Sequence, residues 1–313
     1  MQLRAGPDHY LTKFPRGKPP ARVNKGPLGH GLILMVVFLN GKFLPAAEAV
    51  VPVNDRGFMY GDGLFETTRV VNGRPFRLAQ HLDRMVRGAD HLKIRLPFPP
   101  KEIQKFAERL VEANAMPDAA LRVTLTRGAG ERGYSPSADG SPTLVMSLHP
   151  LPKPPAEGLL QWNMITSSYN IPVSGAISAF KTTSKILSVV ARIEAAERGA
   201  DEALLLNTNG EVAETASGNI FWVYQNTICT VPTGRGVLPG ITRAVVLEIC
   251  QTLGLETNKR VIKPQHLRNA EGIFITQSVL GIVPVVSFDG RHVAPSLLVD
   301  QIATAYNEVL QSE

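Results

Sequence analysis

Pro150-Leu151-Pro152-Lys153-Pro154-Pro155 is the stretch on which the reading of the chain turns. Its prolines remove backbone donors and fix φ, so neither a helix nor a central strand can run through it. It reads as a linker, 151–157, between an N-terminal part at 36–150 and a C-terminal part at 158–313. Moving upstream, Thr143–Leu148 and Leu121–Thr126 read as strands. Helical spacing covers Leu78–Lys93, through Leu78, Leu82, Met85, Val86, Ala89 and Leu92, and then Pro100–Ala115, through Ile103, Phe106, Leu110 and Val111. Asn40-Gly41 and Asn72-Gly73 are hairpin signals. Moving downstream, strands are expected near Gln161–Thr166, Glu202–Leu206, Asn219–Tyr224, Thr227–Val231 and Gly272–Thr276. Helices are expected near Ser184–Arg198, from Pro239-Gly240 to Leu253, and from Pro295 to Leu310, with a hairpin at Asp289-Gly290. This mixture lacks a regular βαβ rhythm, which favours two α+β domains over a doubly wound sheet.

Composition narrows the function. A chain of 313 residues with 44% hydrophobic content can bury a sizeable core. Two cysteines, Cys229 and Cys250, are too few for a disulfide framework and fit buried fillers in a reducing cytoplasm. The formal charge of +6 is concentrated in residues 1–34, where Arg4, Lys13, Arg16, Lys18, Arg22 and Lys25 face Asp8 alone. The remainder is close to neutral, so no nucleic-acid surface is expected. Residues 1–35 read as a basic extension, either disordered or non-native with Met35 as the natural start. The apolar run Gly31–Leu39 is too short to span a membrane, so none is expected as a partner.

Several motifs fail on context. Gly128-Ala129-Gly130-Glu131-Arg132-Gly133 matches the dinucleotide pattern, but Tyr134-Ser135-Pro136 follows where a helix must open. There is no nucleophile elbow, no P-loop and no histidine spacing that suggests a metal; His81 and Asp83 read as ordinary surface residues. Two segments carry more. Pro239-Gly240-Ile241-Thr242-Arg243 places free amides and a hydroxyl at a helix start, which suits a phosphate or is simply a helix start. Lys181, in Ala179-Phe180-Lys181-Thr182-Thr183, could be desolvated and reactive or could snorkel, with Lys185 as its decoy.

Their order along the chain supplies the meaning. Asp55-Arg56-Gly57-Phe58-Met59-Tyr60-Gly61-Asp62-Gly63-Leu64-Phe65-Glu66-Thr67 resembles the N-terminal signature of the class IV aminotransferases, the fold-type IV pyridoxal-phosphate enzymes. Over residues 36–310 the resemblance implies an α+β, two-domain fold like that of D-amino-acid aminotransferase. It implies that Lys181 holds pyridoxal 5′-phosphate as a Schiff base and that Arg84, in His81-Leu82-Asp83-Arg84-Met85, binds its phosphate. Glu211–Phe221 resembles the cofactor strand, with Glu214 facing the pyridine nitrogen and Ser217 close to the cofactor. Leu238–Arg243 resembles the phosphate-binding helix start, through Ile241 and Thr242, and Phe274–Ser278 ends on a further ligand, Ser278. Tyr60, Arg132 and Tyr134 are then expected to bind a small-molecule amino substrate, and a homodimer whose partner closes each site is implied.

Family activities diverge from here. Thr126–Ser135, with Arg132 placed for a substrate carboxylate, and Ser278–Val285 most resemble 4-amino-4-deoxychorismate lyase, which yields p-aminobenzoate and pyruvate for folate. Leu121–Thr126 is read as lacking the Tyr-x-Arg pattern of branched-chain enzymes, with threonine at 124. Thr182-Thr183-Ser184 departs from the leucine and asparagine usual in the lyase. The expectation is therefore the lyase, with a D-amino-acid or other transaminase, including a branched-chain one, as the alternative. A non-catalytic cofactor-binding module is the alternative of another class.

Overall fold

Asn40 and Asn72 take φ of 48° and 51°, each followed by a glycine at positive φ. Paired positive angles give the two-residue turns whose twist suits antiparallel strands. In the computed structural model, which describes residues 35–136, 140–153, 158–173 and 175–313, these turns join β1 (Val36–Leu39) to β2 (Lys42–Pro45) and β3 (Gly63–Val71) to β4 (Arg74–Pro75). The expectations for residues 1–34 and for linker residues 154–157 lie outside the described residues.

With β5 (Ala119–Thr126) and β6 (Thr143–His149), these strands form an antiparallel sheet in the order β2-β1-β6-β5-β3-β4. A short helix, α1 (Arg56–Tyr60), enters β3; Asp55 caps it by accepting from Gly57 N at 2.8 Å, and Gly61 ends it at φ 66°. Helices α2 (Leu78–Leu92) and α3 (Pro100–Asn114) cover the sheet through Leu64, Leu82, Met85, Leu110, Leu121 and Met146. Strand alternation then decides the chemistry. Leu64 and Glu66 of β3 are buried, and Phe65 and Thr67 project on the opposite face.

The second sheet contains, among the described residues, β7 (Trp162–Ile171), β8 (Glu202–Asn207), β9 (Val212–Thr215), β10 (Asn219–Tyr224), β11 (Thr227–Thr230), β12 (Thr257–Lys259), β13 (Gly272–Gln277), β14 (Gly281–Phe288) and β15 (Arg291–His292). Helix α4 (Ile186–Glu197) is the crossover that lets β7 and β8 pair in parallel. Helices α5 (Ile241–Thr252) and α6 (Leu297–Ser312) enclose a core of Phe221, Val245, Val246, Phe274, Ile302 and Tyr306.

Most expected elements appear within a residue or two, and the deviations have causes. Helix α4 begins at Ile186 rather than Ser184 because Lys181–Thr183 first run beside β3. His81, expected on the surface, is 1% exposed. It falls between Leu78 and Met85 on the face that α2 turns to the sheet, and a carboxylate there satisfies it. No helix among the described residues is long and apolar enough to cross a membrane.

Candidate active site

The backbone fixes Lys181 before its side chain matters. Phe65 N donates to the Lys181 carbonyl at 2.8 Å, and Thr183 N donates to Gly63 O at 2.9 Å. Thr183 Oγ1 adds a bond to Gly61 O at 2.8 Å. The lysine is thus tied to the edge of β3, and its Nζ stands 4.7 Å from the centre of the Phe65 ring. Burial, with the Arg84 charge acting the same way, pushes its pKa down to about 8; the Glu66 and Glu214 charges pull in the opposite direction.

Glu214 comes from β9 and accepts the Leu238 amide on Oε2 at 2.9 Å. Burial raises its pKa, while that amide and the charges of Lys185 and Lys181 act to keep it ionised. The chain after Leu238 turns into α5, whose N-cap, Gly240, offers no side-chain cap, so the first amides of the helix are free for a ligand. A Cβ on Gly240 would stand 2.0 Å from Asn219 Oδ1. The absence of a side chain there lets Asn219 reach in and donate to Leu238 O at 2.9 Å, which holds the turn.

These groups meet in one cavity of about 310 Å³. Arg84, Lys181, Glu214, Ser217, Ile241, Thr242 and Ser278, all expected around a cofactor, line it. So do Phe65, Lys185, Asn219 and Thr276, which the sequence reading did not assign. Thr276 Oγ1 is buried in the wall without a hydrogen-bond partner among the described residues. Such a group calls for a ligand or water. The wall offers a guanidinium, helix-terminal amides and hydroxyls to a phosphate, an amine to an aldehyde, and a carboxylate to a ring nitrogen. That donor set fits pyridoxal 5′-phosphate.

The expected substrate residues do not join it. Tyr60 Oη accepts from Gly133 N at 2.9 Å, and the Tyr60 and Tyr134 rings lie 5.7 Å apart. Arg56 ties the same loop down by donating to Gly133 O and Tyr134 O at 2.7 and 3.1 Å. Arg132 is exposed, and Tyr134 is 89% exposed. Within one chain, Tyr60, Arg132 and Tyr134 form a surface cluster outside the cavity wall.

An arginine does lie beside the wall. Arg122 of β5 pairs with Thr67 of β3, and its guanidinium carbon stands 4.0 Å from the centre of the same Phe65 ring that Lys181 approaches. The expectation against branched-chain enzymes looked for arginine at 124; the strand carries it at 122, and Arg122 is half-buried on the side of Phe65. The available signal was strand alternation, which puts 122 and 124 on one face. Among the described residues, no group of three metal-ligating side chains is present.

Comparison with known proteins agrees with this geometry. The family model for class IV amino-transferases matches residues 63–288. A Methanocaldococcus jannaschii protein, provisionally named a branched-chain-amino-acid aminotransferase, is 36% identical over 82% of this chain and 89% of its own length. A D-alanine aminotransferase of Bacillus licheniformis is 31% identical over 89% and 98%. An aminodeoxychorismate lyase of Bacillus subtilis is less similar, at 28% over 81% and 87%. Among solved structures, a branched-chain aminotransferase of Thermoproteus uzoniensis, complexed with norvaline, superposes with a TM-score of 0.83 at 28% identity, covering 89% of this chain and 96% of that one.

Proposed function

The chain belongs to the class IV aminotransferases, and on that premise we propose that it is an amino-acid transaminase acting on aliphatic substrates rather than the lyase expected from the loop at 126–135. The observation that carries the cofactor chemistry, which both activities share, is the cavity itself, with Lys181 and Glu214 facing one space and the start of α5 beside them. The aliphatic class is supported by relatives named for branched-chain amino acids and D-alanine, which match at higher identity than the lyase does.

Bound there, pyridoxal phosphate supplies an electron sink for the carbanion formed at the α-carbon of the substrate. The protein does the rest. Arg84, the first amides of α5, Thr242 and Ser278 bind the phosphate, with Ser217 at the rim. Glu214 holds a proton at the ring nitrogen, a task that requires its ionised form. Lys181 would hold the cofactor through Nζ; once the substrate amine has taken its place, the freed Nζ would accept the substrate α-proton and pass it on rather than back to the α-carbon. Its lowered pKa leaves a useful fraction of free amine near neutrality. Arg122 suits a substrate carboxylate because its guanidinium can bond to both oxygens.

The proposal includes a homodimer. Ile186, Val189 and Ile193 of α4 are 70%, 51% and 52% exposed, at spacings of three and four residues, and form an apolar stripe that a second copy would cover. The same second copy could bring Tyr60, Arg132 and Tyr134 to the neighbouring cavity, which their position within one chain does not allow.

A visible spectrum of the purified protein tests the reading. Addition of L-leucine, L-valine or D-alanine should bleach the band of the lysine-bound cofactor, and the matching keto acid should restore it. p-Aminobenzoate formed from aminodeoxychorismate, with no response to any amino acid, would return the assignment to the lyase.

A further inference from the structure

Glu66 and His81 lie in no part of the cavity wall, yet both are almost fully buried, at 2% and 1% exposure. Arg84, also buried, donates from Nε to Glu66 Oε1 at 2.8 Å and from one terminal nitrogen to Oε2 at 2.6 Å. His81 Nδ1 lies 2.7 Å from the same Oε2. The other terminal nitrogen of Arg84 donates to Pro239 O at 2.8 Å, immediately before the N-cap of α5.

These contacts have one geometric consequence. A guanidinium has five N–H groups in a rigid plane. Three are taken by Glu66 and Pro239, which fixes both the plane and its distance from the start of α5. The remaining two stay free in a residue that lines the cavity. His81 and Arg84 are three residues apart on α2 and so share a helix face, while Glu66 reaches them from β3. Burial alone would raise the Glu66 carboxyl, but the hydrogen bonds from Arg84 and His81 hold it below its usual range. Burial lowers the His81 pKa, which favours the neutral ring, and Nδ1 at 2.7 Å from Oε2 is placed to donate to the carboxylate.

We propose that Glu66 and His81 are positioning residues for the cofactor phosphate: together they clamp Arg84 so that its two free N–H groups are preset beside the amides that open α5. The clamp rests on the cofactor reading above. It touches neither cofactor nor substrate and acts only through Arg84. A neutral histidine suits this role, since it adds a hydrogen bond to Glu66 without a second buried positive charge. The clamp also joins β3, α2 and the turn before α5, so the phosphate site takes its shape from both sheets.

The test compares the affinity of pyridoxal 5′-phosphate with that of pyridoxal, which lacks the phosphate, for the wild type, His81→Leu and His81→Asn. Asparagine can place an amide N–H close to the position of the lost Nδ1–H. His81→Leu should weaken the phosphorylated form about tenfold, leave pyridoxal within about twofold, and make the ³¹P resonance of the bound cofactor sensitive to pH. His81→Asn should recover most of the lost affinity. An equal loss for both ligands would reduce His81 to a packing role and overturn the proposal, as would wild-type affinity in His81→Leu. If His81→Leu does not fold, Glu66→Gln is read on the same ratio and should lower it at least as far. Failure of the wild type to bind either ligand would instead sink the cofactor reading.

Discussion

Replacing Lys181 by methionine should make the cofactor-free protein more stable at pH 7, and the gain should vanish in alkali. The lysine pKa falls from an ordinary 10.5 to about 8 in the folded chain, mainly through burial. Each unit corresponds to roughly 1.4 kcal/mol, so the charged amine weakens the fold by about 3 kcal/mol near neutrality. The sign follows from proton counts. Below about pH 8 both states bind the proton and the native state carries the full cost. Between there and 10.5 the unfolded chain keeps its proton while the native chain has lost it, so wild-type stability rises with pH; above 10.5 nothing more is gained. Methionine has a similar length and no charge, so its advantage over lysine should be about 3 kcal/mol at pH 7 and fade across that window. Urea unfolding of the two proteins at pH 7, 9 and 11 reads this directly, because titrations elsewhere cancel in the difference. A difference that does not change with pH would mean that Lys181 is not held as a depressed amine. The same shift multiplies the free-amine fraction near pH 7 by roughly three hundred, which is the functional return on a destabilising residue.

Four other outcomes are expected. Glu214→Gln should still bind cofactor but lose about a hundredfold or more in kcat, since a neutral amide cannot hold the ring nitrogen protonated; steady-state kinetics within threefold of wild type would remove that role. Arg122→Leu should raise KM for the amino acid by about tenfold or more with cofactor affinity unchanged, as expected for a lost charged hydrogen bond, and an unaltered KM would dismiss Arg122 as a carboxylate partner. Ile186→Asp combined with Ile193→Asp should yield monomers by light scattering; a mixture of Lys181→Ala and Arg132→Ala subunits should in turn recover activity that neither has alone, and no recovery would argue against Arg132 acting across the dimer.

The parts of the fold that depend on neighbours in sequence were legible. The paired positive angles at Asn40-Gly41 and Asn72-Gly73, the apolar stripe of α2 and the Pro-Gly entry into α5 are local properties, and each stands where its residues imply. The cavity wall was legible for a different reason: the motifs that carry Arg84, Lys181, Glu214 and Thr242 matched a known order of segments. What escaped depended on contacts between distant segments. His81 looked like a surface residue because nothing nearby in sequence shows the carboxylate of Glu66 against it, fifteen residues away. Arg122 carries no local signal because the ring it meets, Phe65, lies on the neighbouring strand β3 and is distant in sequence. The late start of α4 reflects hydrogen bonds from Lys181–Thr183 to β3, which no helix propensity encodes.

These long-range contacts explain why the site needs both sheets. Arg84 comes from α2, which packs on the first sheet, and donates to the carbonyl of Pro239 in the turn before α5; Lys181 comes from the second half and its carbonyl accepts from Phe65 N of β3. Each anchor thus has at least one hydrogen bond from the half of the chain that did not supply it. Parting the two sheets would move Arg84 away from the α5 amides and free Lys181 from β3 together, so the phosphate cradle and the reactive amine should be lost in one step. A cofactor held by Arg84, Lys181 and the α5 amides would bridge the same surfaces and therefore act on the same equilibrium, since any ligand that prefers the joined form stabilises it by mass action. The depressed lysine gives this coupling a pH dependence: Nζ must lose its proton before it can bond to a cofactor, and a pKa of about 8 makes that loss easier than it would be at 10.5. Loading through an uncharged Nζ should thus stabilise the protein most above about pH 8, where the free amine is already present, and progressively less as the pH falls below that.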